Sequence, residues 1–586
     1  MFDKIKFMNE SNIYVDLKEG TEIKNNLINM HVVVSDAEKH LLGEIEELKD
    51  QEVRIRLLGE FREGELHIGI LRKPLLDATI RPVLPEEIPL ILGRDTNETL
   101  ILGGSPFYNN HPIYVNINSL FSNHFAIFGN SGSGKSWGLA KLLQNVFANE
   151  KLRPYRANFI LFDISGEYSQ AFSHINQINP NFSYKVYTSS QTEQNFDKLR
   201  IPMWLLDKDD VALLLQCDNH AQLPIVERMM KLARIFAEET DEARRYKDHL
   251  IAKAILSVLY SEQTPAQKRN DIYTIVDECA TENFHLEAVL QGVGYTRKFR
   301  ECFNIDKTGT FTEGILLTEY VTSFIDPSLD NFEPSANVFY SLKELMVALN
   351  FTLISDGWYK NQRTYADAVT VKVRLASLIN SSYSELFQYP RYVNIEQYLS
   401  ELLIENDKKY QIININLEDI DDTVAAVITK IFTKLIFTYS KLVINRASIP
   451  FHIIVDEAHR YIRKDDRDTF LIGYNIFERV AKEGRKYATL LGIITQRPVE
   501  LSDTVISQCS NFLIFKTNHP LDAEYIKEMV PNISPEIVEK QKSLQSGTCL
   551  GFGTAFKIPV VVRLDKPNPT PMSSNTDLIK NWETGQ

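Results

Sequence analysis

What this chain has little of narrows the field first. Five cysteines occur in 586 residues (Cys217, Cys279, Cys302, Cys509, Cys549), with no C-x-x-C pair among them. That spacing speaks against a disulfide framework or a thiolate zinc site and for a reducing compartment. No apolar run reaches about 18 residues, and the opening MFDKIKFMNE has no apolar h-region, so a cytoplasmic protein with no membrane partner is expected. The twelve histidines show no metal-ligand spacing, and there is no internal repeat or low-complexity tract. Positive charge is short as well, 64 Lys and Arg against 77 Asp and Glu, a net charge of -13. An acidic body excludes a protein that coats nucleic acid with its whole surface, but not a local basic strip or pore.

What is present is ordinary globular material, 44% hydrophobic and 24% charged, long enough for roughly three or four domains. The strongest local signal is FAIFGNSGSGKSW, residues 125–137. Gly129, Gly134, Lys135 and Ser136 fit G-x-x-x-x-G-K-[ST] without a gap, between an apolar strand and a helix over Trp137 to Val146. Glycines let the loop curl so that successive N–H groups face a β-phosphate. Residues 129–137 (Gly129, Asn130, Ser131, Gly132, Ser133, Gly134, Lys135, Ser136, Trp137) are therefore candidates for holding ATP. Lys135 would reach the β- and γ-phosphates and Ser136 would ligate Mg²⁺.

Residues 1–95 read as β: Val53–Leu57 alternates with period two, and Phe61–Leu66 reads as a hairpin turn leading into His67–Ile70. His31–Val34 and Leu41–Ile45 are further short strands, a spacing that suggests a small barrel, with an irregular β-rich lid as the plain alternative. Residues 96–195 read as strand–helix–strand, with the apolar strand Asn158–Asp163 ending on a carboxylate. Residues 196–405 are charged and helical in pattern, as in Ile225 to Ala237 and Tyr365 to Ile379, and carry no catalytic constellation. The α/β pattern resumes over 406–560, and 561–586 forms a C-terminal segment whose KPNPTPMSSN reads as a mobile tail.

Three further candidates lie in the second α/β stretch. Ile453-Ile454-Val455-Asp456-Glu457 has the form of a Walker B strand: Asp456 would hold Mg²⁺ and Glu457 would polarise the attacking water. The acids on the strand after the phosphate-loop helix, Asp163 and Glu167, compete for the catalytic role. Gln496, ending a later strand in TQRP, is a candidate γ-phosphate sensor. FERVAKEGRKY, residues 477–487, reads as a basic helix carrying Arg479, Lys482, Arg485 and Lys486. Arg485 is the first candidate for an arginine finger offered to a neighbouring subunit, with a solvated face as the plain alternative. The tetrapeptide DEAH at 456–459 does not indicate a DEAH-box helicase. It lies 321 positions after Lys135 (456 − 135), and no Q-R-x-G-R-x-G-R element is present. Arg460, Arg463 and Lys464 follow Walker B as candidate DNA contacts, the alternative being a loop balanced by Asp465, Asp466 and Asp468.

Together GNSGSGKS, FDISGEY (162–168), IIVDEAHRYI (453–462), AKEGRKYATLLGIITQRP (481–498) and SGTCLGFGTAFKIPVVV (546–562) resemble the HerA-type ATPases of the HerA/FtsK branch of RecA-like motors. Ser131 stands where that family more often has threonine. The resemblance implies an α/β RecA-like P-loop core with an N-terminal β-barrel, an inserted helical domain and a C-terminal brace. It also implies a homohexameric, ATP- and Mg²⁺-dependent translocase or helicase on duplex DNA, with a partner nuclease or other effector, in DNA processing or anti-phage defence. The alternative function is a ring that mainly assembles and switches an effector such as a sirtuin-like NADase.

Overall fold

The computed structural model describes all residues except 10–11, 19–26, 191, 308, 331, 336–337, 356–361, 465–470, 530–534, 574–581 and 583–586. The N-terminal region is one antiparallel sheet of seven strands: β1 Phe2–Met8, β2 Asn12–Leu17, β3 His31–Ser35, β4 His40–Lys49, β5 Glu52–Arg62, β6 Glu65–Ile68 and β7 Thr79–Pro82. Its order is β1-β2-β5-β4-β3-β7, with β6 on β5, and β7 also lies against β1, so the sheet is curled. Alternation sets its inside: Val53 and Ile55 are buried while Arg54 and Arg56 point outward to Glu46 and Glu47. The hairpin turn expected over Phe61–Leu66 is narrower, a two-residue loop with Glu63 at φ 51° and Gly64 at φ 78°, because Phe61 pairs with Leu66 and Arg62 with Glu65 in the hairpin β5–β6.

The second sheet has twelve strands. They are β8 Thr99–Ser105, β9 His111–Asn116, β10 His124–Phe128, β11 Phe159–Asp163, β12 Tyr184–Thr188 and β13 Asp197–Lys198, joined after the helical segment by six more. That segment carries two small hairpins, β14 Val289–Gly292 with β15 Tyr295–Lys298 and β16 Ile404–Glu405 with β17 Lys408–Lys409. The returning strands are β18 Ile412–Asn416, β19 Phe451–Val455, β20 Thr489–Thr495, β21 Cys509–Phe515, β22 Thr548–Gly553 and β23 Val560–Arg563. The order is β13-β12-β18-β11-β19-β20-β10-β21-β22-β23-β8-β9, parallel from β13 to β21 and antiparallel beyond. The four-strand antiparallel extension is not apparent from local pattern, because β8 and β23 are far apart in the chain and meet only in the folded sheet.

Strands β10, β11, β19 and β20 are buried along their length and read as continuous apolar runs because helices cover both faces. The helix Asp422–Leu442 is long and apolar enough to cross a membrane, but 67% of its apolar window is buried inside the protein. Its Lys434 reaches Asp207 at 2.5 Å and Asp210 at 3.0 Å, tying the helical segment to the core. That segment contains Gln222–Ala237 and Gln362–Asn380, spanning the stretches whose spacing predicted helix.

Two expectations change in the structure. The basic helix is shorter: the α-helix Ile476–Glu483 gives way to a 3₁₀ turn over Gly484–Tyr487, so Arg485 and Lys486 lie on the turn. A Cβ on Gly484 would lie 2.2 Å from the Thr489 carbonyl, so the chain folds back tightly there. The Pro-rich tail is anchored up to the end of its described part. Gln144 donates to the Pro569 carbonyl (2.9 Å) and accepts from Asn568 N–H (2.9 Å), and Met572 N–H donates to the Glu167 carbonyl (2.7 Å). Ser574 and Asn575 lie outside the described residues, as do Asp465, Asp466 and Asp468.

Candidate nucleotide site

Strand register brings the motifs together. Phe128 pairs with Thr495, Val455 with Phe162, and Ile454 with Gly492, so the residues following β10, β11, β19 and β20 emerge at one end of the sheet. This is the carboxyl end of the parallel strands, where open α/β sheets bind ligands. Asp456 and Lys135 thus become neighbours despite the long insertion between them.

The loop is built from backbone that side chains would obstruct. Gly134 sits at φ 107° immediately before the helix Lys135–Ala148. A Cβ on Gly129 (φ 154°) would lie 2.6 Å from Phe515 Cβ. Ser133 Oγ donates to the Asn130 carbonyl at 2.7 Å, and Lys135 Nζ donates to the same carbonyl at 3.1 Å. Gly132 and Ser131 are exposed, Asn130 and Ser136 half-buried, and Trp137 36% exposed with Lys566 Nζ 5.4 Å from its ring centre. The loop carries the N-terminal, electropositive end of a fourteen-residue helix, a ready phosphate cradle.

Motif reading missed the surroundings that fix this loop. Phe515, fully buried at the end of β21, lies beneath Gly129 and Gly138. The turn before β22 closes over the other side: Gly547 N–H donates to the Ser133 carbonyl (3.0 Å) and Ser546 Oγ to the Gly132 carbonyl (3.0 Å). The phrase SGTCLGFG carried this signal, but spacing alone does not say that it meets a loop more than 400 residues earlier.

Three carboxyl groups gather around one cation. Lys135 is largely buried; burial lowers its pKa, opposed by Glu457, Asp456 and Glu167. Burial pushes Asp456 well above the usual carboxylate range, and Glu457, Asp163 and Glu167 add to the rise. Glu457 is raised by burial and by Glu167, against Lys135, Arg460 and the N–H of Gln496. Its backbone adopts φ 45°, uncommon for a non-glycine residue and a form of strain that clusters at functional sites. One carboxylate oxygen each of Glu167 and Glu457 is buried without a hydrogen-bond partner, although His459 Nδ1 lies 3.3 Å from the Glu457 oxygen. Such an excess of buried carboxylate over cation fits a divalent ion carried with a nucleotide.

Asp163 differs from its neighbours. It is fully buried, and its oxygens accept from Glu167 N–H (3.1 Å), Tyr168 N–H (2.9 Å) and the Asn414 amide (3.1 Å), while burial lifts it to about 6. Its hydrogen bonds hold the turn that presents Glu167. Tyr168, also fully buried, packs its phenol toward Ser136. Gln496 is half-buried just after β20, beside Glu457.

The remaining candidates lie away from this cluster. Arg485 is exposed at the start of β20, the opposite end of the sheet from the loop, roughly 20 Å along a seven-residue strand. It cannot reach the phosphates of its own subunit. Arg479 lies 3.9 Å from Glu483. Arg460 donates to Asp422 (2.8 Å) and Lys464 pairs with Asp503 (2.8 Å), so two of the three cations after Walker B have acidic partners within the chain. Arg463 is exposed and bridges Leu501 only through backbone.

Residues 103–282 match the family described as helicase HerA, central domain. The DNA double-strand break repair helicase HerA of Saccharolobus solfataricus is 29% identical over 197 residues, 33% of this chain and 39% of that protein. A probable helicase of Methanocaldococcus jannaschii is 30% identical over 183 residues, 30% of this chain and 35% of that protein. The chain thus spans less than two fifths of the length of these relatives. Among solved structures, VirB4 of Thermoanaerobacter pseudethanolicus aligns with a TM-score of 0.41 and 12% identity, covering 81% of this chain and 98% of that one.

Proposed function

We propose that this chain is a HerA-type ATPase that hydrolyses ATP with Mg²⁺ and uses the energy to move duplex DNA through the pore of a homohexamer, beside a partner nuclease or other effector, a reading supported by the match of residues 103–282. The observation that carries this reading is the set of Asp456, Glu457 and Glu167 around Lys135 at the carboxyl end of a parallel sheet, with two buried carboxylate oxygens left unpartnered. In it Ser136 and Asp456 hold Mg²⁺, and residues 129–137 bind the phosphates through backbone N–H groups and Lys135. Mg²⁺ when bound neutralises charge on the transferring phosphoryl group. Glu457 orients the attacking water and takes its proton, Gln496 reports the γ-phosphate, and Glu167 supports the same water from the turn after the neighbouring strand β11. Arg485 serves the neighbouring subunit's site. The curled N-terminal sheet is read as a barrel, and the C-terminal segment 561–586 as a brace, its residues 568–572 anchored beside the phosphate-loop helix.

The second reading, a ring that assembles and switches an effector such as a sirtuin-like NADase, is favoured by the pairing of Arg460 and Lys464 with Asp422 and Asp503. ATPase assays with and without duplex DNA, on the wild type and Lys135→Ala, test both. Turnover that Lys135→Ala abolishes and that DNA stimulates supports the motor. Turnover indifferent to DNA, alone or with a partner, leaves the scaffold, and no turnover overturns both.

A further inference from the structure

A cavity of about 450 Å³ lies far from the phosphate loop, between the last short edge strand of the large sheet and the helical segment. Arg200, two residues past β13, stands on one wall, and Phe339, Lys343 and Tyr389 complete it with Trp204. Strand β13 is six positions from β10 in the sheet, roughly 29 Å at the usual spacing, so this space is no part of the nucleotide cradle. Its volume falls within the roughly 300–1,000 Å³ of small-molecule sites.

The walls are rings held in place. Trp204 is 8% exposed, and its indole N–H donates to the Val393 carbonyl at 2.8 Å. Phe339 approaches it at 4.9 Å between ring centres and Tyr389 at 6.2 Å edge-on. Tyr389 is itself fixed by donating to Glu401 at 2.5 Å. Phe339 is 43% exposed, so part of its ring is open at the mouth of the cavity. Arg200 and Lys343 are exposed, and among the described residues neither forms an ion pair, although the Lys343 charge helps to hold the neighbouring Glu344 carboxyl down. Gln388 lies at the same mouth with an amide able to donate and accept.

Aromatic faces at fixed angles take a planar ring, two unpaired cations take an anion, and a side-chain amide reads polar edges. A single pocket of this size holds one such unit and not a strand. We propose that this cavity binds a nucleoside monophosphate, its base against Trp204 and Phe339 and its phosphate between Arg200 and Lys343, as a second nucleotide site. Nothing in this inference depends on what the phosphate loop does.

The test is calorimetric titration of full-length Lys135→Ala with AMP, GMP, CMP and UMP, and with the parent nucleosides. One equivalent of at least one monophosphate is expected, with the matching nucleoside weaker by about tenfold or more, the worth of one charge-assisted contact. Arg200→Glu with Lys343→Glu should weaken the monophosphate by at least as much, and Phe339→Ala should weaken monophosphate and nucleoside alike. All three positions are exposed, and circular dichroism checks that the variants stay folded. An azido-nucleotide cross-link should map to the peptides carrying residues 200–204, 339–343 or 388–390. No binding below about 1 mM by any of the four, binding untouched by these substitutions, or a cross-link confined to residues 129–137 overturns the proposal.

Discussion

Replacing Glu457 by Gln separates water activation from nucleotide binding. The substitution keeps the shape of the side chain and removes its charge and its basicity. Glu457 is one of three acids whose field Lys135 feels, and its carboxylate has a buried oxygen without a hydrogen-bond partner. Nothing in the fold requires that oxygen to be charged, so the variant should fold and bind ATP at least as well as the wild type. An uncharged residue there also lowers the repulsion that a triphosphate meets. Loss of a positioned general base costs on the order of 10²–10⁴ in rate. At 1.36 kcal/mol per tenfold this is about 3 to 5 kcal/mol of transition-state stabilisation. Steady-state phosphate release and equilibrium binding of a fluorescent ATP analogue measure the two quantities independently. Burial raises the Glu457 pKa, so turnover by the free enzyme should fall on the acid side at a pH above the ordinary 4.5 of a glutamate. Glu167 is the control: Glu167→Gln should cost less than Glu457→Gln. Near-normal turnover by Glu457→Gln together with collapse in Glu167→Gln refutes the assignment and moves the base to the strand β11 side.

Arg485→Ala should leave ATP binding within about twofold and slow hydrolysis by 10³-fold or so, as expected of a group that acts in the transition state. Mixing it with Lys135→Ala should partly restore turnover, and no recovery in verified mixed rings argues against a shared site. Charge reversal at Arg463, the one cation after Walker B with no described acidic partner, should reduce DNA stimulation more than reversal of Lys464. The opposite ranking would show that the Lys464–Asp503 pair opens on DNA. His124 is buried, accepts from Leu491 N–H and donates to the Ala481 carbonyl, and burial holds it near pH 4. Its folded pKa lies below the unfolded 6.5, so the unfolded chain binds the proton first and stability falls as pH drops from 6.5 to 4. The full effect is about 3 kcal/mol. Thermal midpoints of wild type and His124→Gln should converge on acidification through that window, and parallel curves would show that His124 is not the titrating group. Gln144→Ala removes its two hydrogen bonds to the C-terminal segment and should speed proteolysis after residue 563, while unchanged cleavage would mean that the contacts of Leu564, Lys566 and Met572 hold the segment without it.

Much of the chemistry was legible without a structure, and the reason is local. A phosphate loop needs its glycines, lysine and serine within eight residues, and a Walker B strand needs its acids directly after a buried run, so Gly129–Ser136 and Asp456-Glu457 are visible in one dimension. Strand alternation likewise marked Val53–Leu57 as a strand and Phe61–Leu66 as the hairpin turn after it, while the fold decided that Val53 and Ile55 face inward and that only Glu63-Gly64 form the loop. Position in space was not legible. Only the register of β10, β11, β19 and β20 decides that Glu167, Glu457 and Gln496 share one end of the sheet and that Arg485 lies at the other. Long-range packing also decides that Gly547 closes on Ser133 and that Phe515 underlies the loop. The same packing turns a Pro-rich tail into a strap, because Gln144 and Glu167 offer the hydrogen bonds that its backbone otherwise takes from water. Asp163 makes the division plain. Its carboxyl group was evident in the sequence, but which N–H groups fill its oxygens depends on how the chain turns back at Gly166, and that is settled only when Asn414 arrives from the far side of the helical segment.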